Sequence, residues 1–142
     1  MHMKLVLFTL WVVFPLLLCA TPHNLAPQAK VSCSSAAGKE YGAQCVTDGK
    51  VRILNAGEWR SGSRLDMRGR VYPFPWIQLD WDRPVSVNRV ILYDCPDEKS
   101  HTAAGTLSFS DGTSLTVNLI ADDGAPKVID FAAKKIRWMR FQ

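Results

Sequence analysis

The densest group of side chains suited to holding a ligand lies in the segment RLDMRGRVYPF, residues 64–74, where two rings, Tyr72 and Phe74, sit among Arg64, Asp66, Arg68 and Arg70. Flat rings offer apolar faces, and planar guanidinium groups donate hydrogen bonds to paired oxygens. A few polar groups around an apolar platform make a small-ligand site, and against sugars the rings take the C–H faces while the arginines take the hydroxyls. Arg64, Tyr72 and Phe74 are therefore candidate carbohydrate contacts. Two other readings stay open for the same stretch. Leu65, Met67 and Phe74 beside arginines would also suit an anionic membrane surface, and the rings could simply cover one end of the fold.

Catalytic chemistry is much less legible. A glycoside hydrolase needs two carboxylates about 5–10 Å apart, and nothing singles out a pair among the 13 acidic residues. The chain has no G-x-S-x-G, H-E-x-x-H or phosphate-loop motif. Its histidines, at positions 2, 23 and 101, are scattered, and no C-x-x-C occurs, so a zinc site is not indicated. The formal net charge is +4, too mild without a motif to indicate nucleic acid. The clusters Arg60, Arg64, Arg68, Arg70 and Lys134, Lys135, Arg137, Arg140 read as solvated basic faces.

These residues must be positioned by a domain that begins after an export leader. Lys4 precedes an uncharged apolar run from Leu5 to Leu18, and Cys19, Ala20 and Thr21 supply small residues at its exit. That is the pattern of a secretory signal peptide, and it is shorter than the roughly 20 apolar residues of a membrane span. The expectation is a leader over 1–20, a single domain over 21–142 and a secreted product. Cys33, Cys45 and Cys95 would then meet an oxidising compartment. A Cys33–Cys45 bridge would tie the first strand to the loop beyond it and leave Cys95 over, although other pairings remain open.

The domain itself reads as strands. Residues 29–35 and 76–81 alternate, the latter with Ile77, Leu79 and Trp81 inward; Pro84 should end that strand, because proline lacks a ladder donor. Residues 87–93, VNRVILY, are β-branched and apolar as in a central strand. Asp111-Gly112 joins two alternating runs and predicts a hairpin with a two-residue type I′ turn, with Leu107, Phe109, Leu115, Val117 and Leu119 on one face. Segments 127–131 and 135–141 complete the series, with Trp81 and Trp138 read as core. Short strands at this spacing without βαβ alternation predict an all-β antiparallel sandwich.

Several segments in order carry a family resemblance: AQCVTDG at 43–49, EWRS at 58–61, WIQLD at 76–80, VNRVILY at 87–93, GTLSFSDG at 105–112, DGAP at 123–126 and WMRF at 138–141. Together they resemble the discoidin, or coagulation-factor C-type, domain, a galactose-binding-like jelly roll shared with family-32 carbohydrate-binding modules. The match runs from about residue 24 to the end. It implies a non-catalytic, lectin-like module that binds a glycan through rim loops, attached in some relatives to a glycoside-processing domain. Other relatives adhere to phospholipid surfaces or proteins.

The resemblance also nominates residues. Arg60, just after Trp59, takes a place that faces ligand in sugar-binding relatives, while Asp94 and His101 flank a loop from which relatives touch ligand. Asp48, in a turn with Gly49, corresponds to a ligand of a structural calcium, with Ser61 a second oxygen donor; calcium takes about 6–8 oxygens. There are two departures. Cys95 stands where the family branch has arginine, and family domains continue into one further strand bearing a glutamate, beyond the position of Gln142. The expectation is an unpaired edge and an open seam, in a fragment or trimmed domain.

Overall fold

The computed structural model describes residues 23–51, 53, 57–62, 70–71, 73–96, 102–118 and 123–142. The signal-peptide reading over 1–20 lies outside them. Five antiparallel strands are present: β1 (Lys30–Cys33), β2 (Ile77–Leu92), β3 (Ala104–Phe109), β4 (Ser114–Asn118) and β5 (Lys127–Phe141), ordered β1-β2-β5-β3-β4. The antiparallel sandwich read from the pattern is the observed fold.

Two strands are long enough to serve both layers. The first part of β2 pairs Ile77 with Phe141 and Asp80 with Trp138, flanked by β1 on one side and by β3 and β4 beyond β5. After a register shift, Val85 to Leu92 pairs with Ile136 to Lys127. This second arm closes over the first layer. Val90 and Ile136 from the arm join Leu79, Trp81, Leu107, Phe109 and Val117 in one buried cluster, and Phe131 meets Phe109 with ring centroids 5.3 Å apart. Leu107, Phe109, Val117 and Ile136 are essentially fully buried, and each such side chain removed from water contributes about 1.5–3 kcal/mol.

Several details correct the sequence reading. Pro84 does not end the strand. It sits where the ladder jumps from Asp80 to Val85, a stretch in which the missing N–H costs no pairing. The segments 127–131 and 135–141 are one strand with an irregularity between them. The hairpin has a three-residue loop instead of a type I′ turn. Gly112 N–H bonds the Phe109 carbonyl, Phe109 N–H bonds the Thr113 carbonyl, and Gly112 adopts φ 83°, the bulge geometry that follows an ordinary turn. Ser110 N–H donating to the Trp138 carbonyl ties that loop to β5. Trp138 is half-buried and lies opposite Asp80, outside the buried cluster. The residues before β1 also pack: Leu25, Ala26 and Ala29 lie against the core, and Trp81 Nε1 donates to the Leu25 carbonyl.

The disulfide expected between Cys33 and Cys45 is not formed; Cys33, Cys45 and Cys95 are not joined in disulfides. Cys33 is held by β1 opposite Ile77, while the Cys45 thiol donates to the Glu40 carbonyl from a 3-10 turn at Ala43–Thr47.

The C-terminal cations do not form one solvated face. Lys134 Nζ lies over the Phe109 ring at 4.9 Å, donates to Thr113 Oγ1 at 2.5 Å and stands 3.6 Å from Asp111. Arg140 stacks on Trp76 at 4.4 Å and donates to Gln78. Asp111 accepts from both the hydroxyl and the amide of Thr113, and these bonds, with Lys134 nearby, hold its carboxyl below the ordinary value of 3.8. A carboxyl whose pKa is lowered on folding stabilises above its unfolded value, and this contribution disappears as pH falls through the folded value. We expect the native chain to lose hairpin stability on acidification below about pH 4, and Asp111→Asn to lack that component. Superimposable acid-unfolding curves for the two proteins, followed by tryptophan fluorescence, would contradict this.

Candidate functional site

The bend in β2 brings both of its ends, Ile77 and Leu92, to one concavity of about 600 Å³ at the end of the sandwich. Its walls include the 3-10 turn around Cys45 and Val46, residues 57–61, the entry to β2 at Phe74 and Pro75, and the exit from β2 through Tyr93, Asp94 and Cys95. Arg60, Ser61, Phe74 and Asp94, nominated from distant parts of the sequence, therefore line the same space. Arg64, Tyr72 and His101 lie outside the described residues.

Segment 58–62 is stitched to the loop after β1. Trp59 Nε1 donates to the Ser35 carbonyl at 2.8 Å, Gly62 N–H to Ser35 Oγ at 3.0 Å, Ala37 N–H to the Arg60 carbonyl at 2.9 Å and Arg60 N–H to the Tyr41 carbonyl at 3.3 Å. This lattice fixes the Arg60 guanidinium 4.7 Å from the centre of the Tyr41 ring and 2.6 Å from Glu58 Oε1. Burial disfavours the charged guanidinium, but Glu58, a hydrogen bond with the Cys95 side chain and Tyr41 together outweigh it and raise the Arg60 pKa. Cys95 thus partners an arginine from another loop. Both Glu58 oxygens are closed to solvent and lack a well-directed hydrogen-bond donor, so this carboxylate depends on the ion pair with Arg60.

Asp94 closes the next loop. Its Oδ1 accepts from Cys95 N–H at 2.9 Å and its Oδ2 from Thr102 N–H, clasping the two ends of the 94–102 segment. Phe74 and Tyr93 stand at the mouth, 62% and 45% exposed. Sequence reasoning assigned no role to Tyr41, Glu58, Tyr93 or Cys95. Tyr93, an aromatic at the end of an apolar strand, carried a usable signal, whereas the Tyr41–Arg60 stack is a long-range contact with none.

Asp48 is used locally: Oδ1 accepts from Lys50 N–H at 2.8 Å, and Gly49 takes φ 79°, an Asx turn. Among the described residues no three His, Cys, Asp or Glu side chains gather as metal ligands. Ser61 lines the concavity and Asp48 does not, so the two do not by themselves complete the 6–8 oxygens that calcium takes.

This architecture, two antiparallel layers bridged by bent strands with a concavity walled by loops, is that of the galactose-binding-like jelly roll. Among solved structures, a fucose binding module from Streptococcus pneumoniae is similar at TM-score 0.64 and 17% identity, covering 84% of this chain and 82% of that one. Chitosan-binding module 1 from a chitosanase/glucanase of Paenibacillus sp. IK-5 is similar at TM-score 0.60 and 23% identity, covering 84% and 85%. The lectin domain of lectinolysin, solved with Lewis B antigen, is similar at TM-score 0.63 and 19% identity, covering 84% of each. By sequence, the chain belongs to the family described as a domain of unknown function, DUF7402, whose model matches residues 24–142. No curated protein matches it.

Removing one partner of a shielded ion pair strands the other charge. Because Arg60 is about a third exposed, the cost is moderated: Arg60→Ala is expected to destabilise the fold by about 1–3 kcal/mol, and by clearly less in a Glu58→Gln background. Equal losses in both backgrounds, measured by urea denaturation, would show that Glu58 does not depend on Arg60.

Proposed function

We propose that this chain is a non-catalytic carbohydrate-binding module that contacts a glycan at the mouth of the concavity. The observation that carries the reading is convergence: Arg60, Phe74 and Asp94, drawn from three segments, line one recess with Tyr93 beside them. Phe74 and Tyr93 offer ring faces for the apolar side of a sugar, and Arg60 supplies a planar donor surface held in place by Tyr41 and Glu58. Asp94 keeps the Tyr93–Pro96 wall in position through its backbone bonds. The similarity to modules named for chitosan and fucose and to a lectin domain seen with Lewis B antigen supports a glycan ligand.

A binding role, not a catalytic one, is also supported by how the described carboxylates of the recess, Glu58 and Asp94, are used. Glu58 is neutralised by Arg60, and Asp94 is engaged by two amides. Neither is placed as the proton donor or nucleophile that glycoside cleavage requires. The charged start and apolar run of the first 20 residues support export, which would bring the module to extracellular glycans.

A glycan array probed with the purified chain tests the reading. We expect modest binding, since sugar sites exchange water hydrogen bonds for protein ones with small net gain. Phe74→Ala should weaken it about tenfold, the equivalent of about 1.4 kcal/mol, and EDTA should leave it intact, because Asp48 serves its own turn. No array signal, or an undiminished signal from Phe74→Ala, would reject the site. Sedimentation with anionic liposomes but not with glycans would favour a phospholipid-surface module, for which exposed Val71 and Phe74 would be the contact.

A further inference from the structure

The recess uses its acids and its cations differently. Both Glu58 oxygens are closed to solvent beside Arg60, and both Asp94 oxygens accept backbone amides. These are the acidic side chains among its described lining, and each is spent within the protein. Lys50 lines the same space, and among the described residues it has no ion pair or side-chain hydrogen bond. Outside the recess, Arg89, Lys134 and Arg140 are engaged by Asp130, Asp111 and Gln78.

Two features hold Lys50 in place. Its backbone N–H donates to Asp48 Oδ1 at 2.8 Å across the turn in which Gly49 takes φ 79°. Its stem lies on Gly57: a β-carbon there would collide with Lys50 Cβ and stand 3.3 Å from Lys50 Cδ. Gly57 takes φ 68°, a left-handed conformation that glycine adopts without strain. The stem therefore runs beside the segment that carries Glu58 and Arg60. Val46, Val51 and Ile53 also line the recess, and these apolar neighbours offer the ammonium no partner. A long side chain that lays its stem along the protein keeps its charged head in water, here at the edge of the candidate site.

We propose that the glycan bound at this recess is anionic, and that the Lys50 ammonium meets its carboxylate or sulfate group. The proposal rests on the carbohydrate-binding reading and names the sugar class within it. Sugar hydroxyls both donate and accept, and the carboxylates that would accept from them are already occupied. An anionic group only accepts, and it matches a recess whose available charged groups, Lys50 and Arg60, only donate. An ammonium is a compact point charge without the planar fork of a guanidinium, so it suits either anion. The formal net charge of +4 draws the same ligands from a distance.

The test is a glycan array in matched forms, probed with the purified full chain and followed by titration calorimetry of the pairs that bind. Oligogalacturonate is set against its methyl ester, and a sulfated lactosamine oligosaccharide against its unsulfated parent. At least one pair should favour its anion about fivefold, the upper range for an exposed ion pair, and which pair does so separates carboxylate from sulfate. The preference should shrink in about 1 M salt, where the screening length falls to about 3 Å. Lys50→Ala should bring the ratio of the two affinities close to one, and Lys50→Arg should preserve it. Equal binding within each pair, signals from neutral glycans alone, or a ratio that Lys50→Ala leaves unchanged would overturn the proposal while the carbohydrate reading stands. Absence of every glycan signal would remove both.

Discussion

The long antiparallel pairing of β2 with β5 is the constraint on which the rest of the molecule depends. Neither strand belongs to one layer alone. The ladder holds Ile77–Asp80 against Trp138–Phe141, skips across residues 81–84, and resumes from Val85 against Ile136. The skip is what lets the ribbon turn over the core, so that Val90 and Ile136 reach Leu107, Phe109 and Val117. It also carries both ends of β2 to the same concavity. Without that turn, Phe74 and Asp94 would stand at opposite ends of a strand sixteen residues long.

A second layer of control lies in how the chain uses its own charges. Arg60 is oriented by an ion pair and a ring, Asp94 by two amides, Lys134 by Phe109 and the hairpin, and Arg140 by Trp76 and Gln78. Ionic side chains fixed in this way lose little freedom when something binds beside them, which favours recognition through a preformed surface. The mouth of the recess therefore combines a held cation with exposed rings.

Much of this was legible in the residues, and the remainder failed for identifiable reasons. Alternation in WIQLDW placed Ile77, Leu79 and Trp81 inward, as observed, because one buried face imposes a period of two. Asp-Gly marked the hairpin correctly but not its loop length, since the extra residue is secured by Ser110 bonding across to Trp138, a contact remote in sequence. Pro84 suggested a strand end because local chemistry cannot reveal that the partner strand skips the same stretch. The pairing of Cys33 with Cys45 was an argument from number, and the structure instead gives the Cys45 thiol a carbonyl five residues back. Arg60, Phe74 and Asp94, named from separate stretches of sequence, line one recess, whereas Glu58 and Tyr41 carried no signal because their contact with Arg60 exists only in the fold.

The central claim is that ligand contact occurs at this end of the sandwich and not on the outward face of the sheet, where Trp76 and Arg140 are stacked. An ¹⁵N-labelled sample titrated with chitotriose, fucose and a Lewis B oligosaccharide, followed by two-dimensional NMR, addresses it directly. The account predicts that at least one of these shifts the resonances of Arg60, Gly62, Phe74 and Tyr93 to Cys95 while those of Gln78, Asp80 and Arg140 stay in place. Shifts centred on Trp76, Gln78 and Arg140, with the recess unmoved, would contradict it.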